Sequence, residues 1–71
     1  MSKLPSFTPA EIIRLLQKNG FIIDRIRGSH YILINEKTNS RVVVPFHKND
    51  LPKGTVHEII KQSGLNEISF K

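Results

Sequence analysis

The chain is short and basic: 71 residues carry 11 lysines and arginines against six aspartates and glutamates, for a formal net charge of +5. This length favours a single domain over residues 1–71 with a thin core and no deep pocket, and the lack of cysteine excludes disulfides and thiolate metal sites. The first residues lack the apolar segment of a signal peptide and no apolar run could cross a bilayer, so we expect a cytoplasmic protein with no membrane partner.

The first predicted element is a helix that starts after Thr8. Thr8 can cap it, Pro9 suits the first helical position, and Glu11 completes a capping box. The Asn19-Gly20 pair ends the helix, since glycine favours the left-handed position there. Its apolar face consists of Ile12, Leu15 and Leu16.

Three strands follow the helix. Residues 21–27 and 30–35 are rich in strand formers, and the Gly28-Ser29 pair between them fits a two-residue turn of type II′. After a polar turn, residues 41–44 form a third strand that Pro45 ends. Because the links are short, neighbouring strands should pair as an antiparallel meander.

A second helix is predicted after the loop over residues 46–51 and the Pro52-Lys53-Gly54 segment. Thr55 and Glu58 have the spacing of a capping box, and Gly64 ends the helix. Its apolar face consists of Val56, Ile59 and Ile60. The last residues, 65–71, fit either a turn of helix or an extended tail.

These elements predict an α+β fold in the order α-β-β-β-α. Both helices need a surface for their apolar faces, and one face of the three-stranded antiparallel sheet supplies it. This is the layout of the double-stranded RNA-binding domain, although layout alone does not give function.

The positive charge is concentrated in the middle of the chain. Residues 25–53 hold six basic and two acidic side chains, so they carry +4 of the total +5. This concentration favours a polyanionic partner such as RNA, because each phosphate contact releases counterions. A solvated surface that keeps a small protein soluble would have the same composition. The basic residues are Arg25, Arg27, Lys37, Arg41, Lys48 and Lys53.

His30 is the best candidate for a catalytic residue. A two-residue turn would place Arg27 directly opposite His30, with Arg25 on the same side of the sheet. An imidazole beside two guanidinium groups could cleave RNA, because the nucleophile is the substrate's own 2′-hydroxyl and the protein only moves protons and stabilises charge. A hairpin histidine with no chemical role is the simpler interpretation of the same pattern.

The other two histidines are weaker candidates. His47 lies in a loop beside Lys48, where a supporting role is possible, and His57 lies on the surface of the second helix. The histidines have no compact metal-ligand spacing and few acidic residues near them, so we predict no metal site.

Ser29, Tyr31 and Phe46 each allow more than one interpretation. Ser29 has no third member of a catalytic triad near it in the pattern, so we expect it to bind RNA and not to act as a nucleophile. Tyr31 and Phe46 could stack on unpaired bases, although each could instead belong to the core.

At Arg27-Gly28-Ser29-His30-Tyr31 the sequence resembles the HicA family of toxin ribonucleases. Gly28-Ser29-His30 matches the glycine-serine-histidine turn that carries the family's catalytic histidine. Val44-Pro45-Phe46-His47 is similar to the valine-proline-x-histidine segment after the third strand. Gly20-Phe21, and the stretch from Gly54-Thr55-Val56 to Gly64-Leu65, resemble the family's first strand entry and second helix.

This resemblance implies the toxin of a type II toxin–antitoxin system. Such a toxin would be a metal-independent endoribonuclease that cleaves messenger RNA and needs no cofactor, with His30 as base, acid or both. Its partner would be a HicB-type antitoxin. A non-catalytic RNA-binding module of the same fold is the main alternative, and an adaptor whose basic face binds an acidic protein is the second. The expected RNA-binding residues are Arg25, Arg27, Ser29, Arg41, His47, Lys48 and Lys53.

Overall fold

The computed structural model describes residues 5–70, which form a three-stranded antiparallel sheet with helices against one face. Residues 1–4 and 71, which the expected domain over residues 1–71 includes, lie outside this part of the chain. The strand order is β1-β2-β3, which confirms the predicted α-β-β-β-α fold. The elements are α1 (Pro9–Lys18), β1 (Ile22–Arg27), β2 (His30–Asn35), β3 (Ser40–Pro45), α2 (Lys53–Ser63) and a short 3₁₀ helix (Glu67–Phe70).

The capping box predicted for α1 is confirmed. The Thr8 backbone N–H donates to Glu11 Oε1 at 2.8 Å, and the Glu11 backbone N–H donates to Thr8 Oγ1 at 3.3 Å. The pKa of Glu11 lies below its ordinary value because the backbone N–H and then the hydroxyl of Thr8 stabilise its carboxylate. Two backbone donors at the helix start are thereby satisfied.

Replacing Thr8 with alanine should lower the free energy of unfolding by about 1 kcal/mol, the usual cost of losing an N-cap hydroxyl. Since the folded pKa of Glu11 is lowered, the stability from its charged form is complete above the unfolded pKa and is lost as the pH falls through the folded value. The difference in the free energy of unfolding between wild type and Thr8→Ala should therefore narrow in acid by the part that comes from the Thr8 hydroxyl, since alanine keeps the backbone N–H that donates to Glu11. Urea unfolding of both proteins at a series of pH values measures this difference in free energy. A difference that stays constant in acid would contradict the hydrogen bond from the Thr8 hydroxyl to the Glu11 carboxylate.

The hairpin of β1 and β2 has the predicted turn. Arg27 pairs with His30 across Gly28-Ser29, and Gly28 has a φ of 58°. Asn39 is the one non-glycine residue with a positive φ among residues 5–70, so Ser29 has a negative φ, as a type II′ turn requires.

A β-bulge at Asp24 decides which side chains of β1 face the helices. The register shifts between Ile23 and Arg25, so Ile23 pairs with Leu33 and Arg25 pairs with Ile32. The extra residue changes the alternation, and Ile23 therefore lies on the helix side although Arg25 lies on the opposite side.

Both helices cover the same face of the sheet, as predicted. Leu33 of β2 and Val42 and Val44 of β3 belong to the same buried cluster as residues of both helices. The helical members of this cluster are Ile12, Ile13, Leu16, Val56, Ile59 and Ile60. All six residues of β1 are exposed, so the helices lie over β2 and β3.

The start of α2 differs from the sequence prediction. The helix begins at Lys53 with Pro52 as its N-cap and has no side-chain cap, so the predicted capping box of Thr55 and Glu58 is wrong. The Val56 N–H donates to the Pro52 carbonyl at 3.0 Å, which places Thr55 already inside the first turn. Gly64 ends α2 with a φ of 73°, as expected.

The strand ends also differ from the prediction by one residue. Phe21 precedes β1 and is buried, and β3 runs from Ser40 to Pro45. Pro45 can belong to the strand because it is its last residue, where it pairs with His30.

The segment after α2, which the sequence left open, contributes to the core. Glu67–Phe70 form a 3₁₀ helix, and the Phe70 side chain is 1% exposed. Its ring lies edge-on to that of Phe7, with centroids 6.4 Å apart. The described end of the chain therefore closes the core beside the start of α1.

Candidate active site

The face of the sheet opposite the helices is open and carries His30. Pairing along the strands gives three cross-strand rows on this face: Arg27, His30 and Pro45; Arg25, Ile32 and Val43; and Ile22, Ile34 and Arg41. His30 occupies the middle of the first row, at the end of the central strand, and is exposed. A large substrate can therefore reach it from solvent.

Strand pairing places two arginines on the same face as His30. Cross-strand partners have Cβ atoms about 5 Å apart, and diagonal neighbours about 7–8 Å, so Arg27 and then Arg25 are within side-chain reach of His30. Arg25 Nε contacts Asp24 Oδ2 at 3.2 Å, but this pair is exposed and holds Arg25 weakly. No hydrogen bond within residues 5–70 fixes the His30 ring, so a bound substrate can orient it.

The loop after β3 is tied to the turn beside His30. The Phe46 backbone N–H donates to the Ser29 carbonyl at 2.7 Å. His47 and Lys48 follow directly and are exposed. This bond holds the start of the loop that carries them at the end of the sheet where His30 lies.

Tyr31 and Phe46 stack on each other. Their ring centroids are 4.7 Å apart with an interplanar angle of 25°. Tyr31 is half-buried against the core, whereas Phe46 is 38% exposed. Tyr31 therefore belongs to the helix side, as the core alternative expects, and Phe46 covers it while keeping an exposed surface. Stacking on an RNA base stays a prediction.

Two of the predicted RNA-binding residues lie farther from His30. Arg41 pairs with Ile34, four residues along β2 from His30, which corresponds to about 13 Å. Lys53 is the first residue of α2, which lies in the helix layer on the other side of the sheet. His57 lies on the same helix. The structure places Arg25 and Arg27 on the same face as His30 and Ser29 in the adjoining turn, and it ties the loop that leads to His47 and Lys48 to that turn.

Two concave surfaces of the described chain do not include His30. One depression, of about 230 Å³, is lined by residues of α1 and by Phe7. Another, of about 420 Å³, lies between the end of α1 and the turn after β2. Neither depression is lined by His30, Arg25 or Arg27, and the exposed surface that carries them suits a polymer better than a small molecule.

Neither a metal-ligand cluster nor a membrane-spanning helix is present among the described residues. Residues 5–70 contain no group of three or more histidine, aspartate or glutamate side chains placed to hold a metal ion. The helices in this part of the chain are too short and too polar to cross a membrane.

Comparison with known proteins gave one family. A family model described as the HicA toxin of bacterial toxin–antitoxin matches residues 9–65, from the first residue of α1 to just past the end of α2. The match includes the hairpin of His30 and the loop of His47. A search of curated proteins found no match.

Proposed function

Because the chain belongs to the HicA family, it is the toxin of a toxin–antitoxin system with an antitoxin as partner, and we propose that it is an endoribonuclease that cleaves messenger RNA. The observation that carries this proposal is the exposed His30 imidazole on an open face, opposite Arg27 and diagonal to Arg25. Messenger RNA as substrate implies action in the cytoplasm.

The chemistry needs few groups from the protein. The 2′-hydroxyl of the nucleotide before the scissile bond attacks the phosphorus and loses its proton, and the P–O5′ bond breaks as the 5′-oxygen gains one. His30 transfers protons in this sequence as base, acid or both. Arg27 and Arg25 stabilise the negative charge that develops on the phosphorane oxygens. The products are a 2′,3′-cyclic phosphate and a 5′-hydroxyl, and no metal takes part in the scheme.

The antitoxin of this system is proposed to be a HicB-type protein that covers the His30 face. A cell that makes a ribonuclease must inhibit it. Because the His30 site is exposed on a surface, a partner that binds over that surface is the simplest inhibitor.

RNA affinity should depend on salt through the cations of the His30 face and its margins. Replacing Arg27, Arg41 and Lys48 together with glutamine should reduce the slope of log affinity against log salt by about 2, since each phosphate contact on a single strand contributes about 0.7. Fluorescence anisotropy with labelled RNA over a salt series measures the slope.

The matched control replaces Arg14, Lys18 and Lys61 with glutamine. These three exposed residues lie on the helices, so the net charge falls equally while the sheet face stays intact. Equal slopes for the two triple variants would move the RNA-binding surface away from the sheet.

Incubating the purified chain with end-labelled RNA tests the proposed activity directly. We expect discrete shorter products whose yield rises with time. A mobility shift without products would favour the non-catalytic RNA-binding module, and the absence of both would favour an adaptor for an acidic protein.

A further inference from the structure

Strand β1 exposes an apolar surface that nothing in the described chain covers. Ile22, Ile23 and Ile26 are 51%, 38% and 53% exposed, and they are three of the four large hydrophobic residues that the described chain exposes. β1 is an edge strand, and the helices lie over the other two strands. Ile23 and Ile26 therefore form the uncovered end of the helix-side face.

The backbone of β1 offers a second feature at the same place. Arg27 and His30 flank a two-residue turn, so they form a hydrogen-bonded pair and the next pair, Ile26 with Tyr31, does not. The N–H and C=O of Ile26 then point away from β2, toward the free edge. Unpaired groups of this kind are a template for another strand.

The side chains of β1 indicate what kind of added strand would be complementary to it. An added strand would meet Ile23 and Ile26 on the helix side, and Arg25 and Arg27 on the open side. Apolar side chains on one face and acidic ones on the other would complement both sets, because cross-strand pairs of opposite charge are favourable.

A second copy of the chain fits less well. Antiparallel pairing of two β1 strands centred on Ile26 would place Arg25 opposite Arg27 of the other copy, and like charges directly opposite destabilise a pair. Each copy also carries a formal charge of +5. RNA has no peptide groups to pair with the free backbone edge of β1, and its phosphates would not bury the isoleucine side chains.

We propose that the antitoxin docks on this chain by adding a strand to the free edge of β1, with its apolar side chains on Ile23 and Ile26 and its acidic ones on Arg25 and Arg27. The antitoxin follows from the family, so this docking mode does not depend on RNA cleavage. Acidic side chains in these positions would occupy the guanidinium groups next to His30 and compete with RNA phosphates.

Hydrogen exchange of the complex tests the backbone contact. The purified chain, labelled with ¹⁵N, is measured alone and with its cognate antitoxin. We expect the Ile26 amide to exchange rapidly in the free chain and to become protected in the complex, because its N–H gains a carbonyl partner.

Two lysine variants test the side-chain contact. Ile26→Lys and Ile22→Lys change residues of nearly equal exposure on the same strand and add the same charge, but Ile22 lies on the opposite face. We expect Ile26→Lys to bind the antitoxin at least about tenfold more weakly than Ile22→Lys, as for an apolar contact central to an interface. Both side chains are more than half exposed, so both variants should fold, which circular dichroism checks.

Three results would overturn the proposal. The first is a complex in which the Ile26 amide exchanges as fast as in the free chain, and the second is equal affinity of the two lysine variants. The third is self-association of the chain alone with the Ile26 amide protected, which would make a second copy the occupant. A chain without ribonuclease activity that still gains protection at Ile26 would refute only the proposed enzyme.

Discussion

Replacing His30 with alanine should lower the single-turnover rate of RNA cleavage by about 10²–10⁴-fold, the usual worth of a proton-transfer group. RNA affinity should stay nearly unchanged, since it comes mostly from the cations. The variant should fold, because His30 is exposed at the end of a strand, its backbone pairing with Arg27 does not depend on the side chain, and its ring makes no hydrogen bond within residues 5–70.

His57→Ala is the matched control for this experiment, because His57 is exposed but lies in the helix layer. It should cut RNA at close to the wild-type rate. His47→Ala should have an intermediate effect, since the Phe46 to Ser29 hydrogen bond holds its loop near His30. A folded His30→Ala protein that cuts at the wild-type rate would remove His30 from the mechanism and leave His47 as the next candidate.

Replacing Phe70 with alanine should lower the free energy of unfolding by about 3–5 kcal/mol, the usual cost of deleting a buried phenylalanine. Its side chain is 1% exposed and meets the ring of Phe7 edge-on. For a chain of this length the whole stability is roughly 4–10 kcal/mol, so the variant should be close to unfolding. Urea denaturation of both proteins measures the change.

Phe46→Ala is the control for this second prediction. Phe46 is 38% exposed and stacks on one side only, so its loss should cost much less. A Phe70→Ala protein as stable as Phe46→Ala would show that the 3₁₀ helix is not part of the core. Since Phe70 lies beyond the family match at residues 9–65, its loss also tests whether a segment outside that match stabilises the fold.

The position of His30 could be predicted from the sequence because a turn of fixed length fixes the register of a hairpin. With two residues in the turn, Arg27 must oppose His30, and the structure confirms this pair. The capping box of α1 was predictable for a similar reason, since all its bonds lie within four residues.

Other features depend on contacts between distant residues and had no local signal. The bulge at Asp24 places both Ile23 and Ile26 on the helix side of the sheet, but alternation alone cannot reveal an extra residue. Thr55 and Glu58 have capping spacing, yet Pro52 begins the helix one turn earlier. The burial of Phe70 and the stacking of Phe46 on Tyr31 follow from tertiary packing.

The chemical ends of the RNA fragments give the most direct test of the central claim. The account predicts a 2′,3′-cyclic phosphate, or the 3′-phosphate formed when it opens, together with a 5′-hydroxyl, from wild type and not from His30→Ala. A substrate with a 2′-deoxy sugar at the scissile position should remain intact. Fragments with 5′-phosphate and 3′-hydroxyl ends, or cleavage of the 2′-deoxy substrate, would contradict attack by the 2′-hydroxyl and the role assigned to His30.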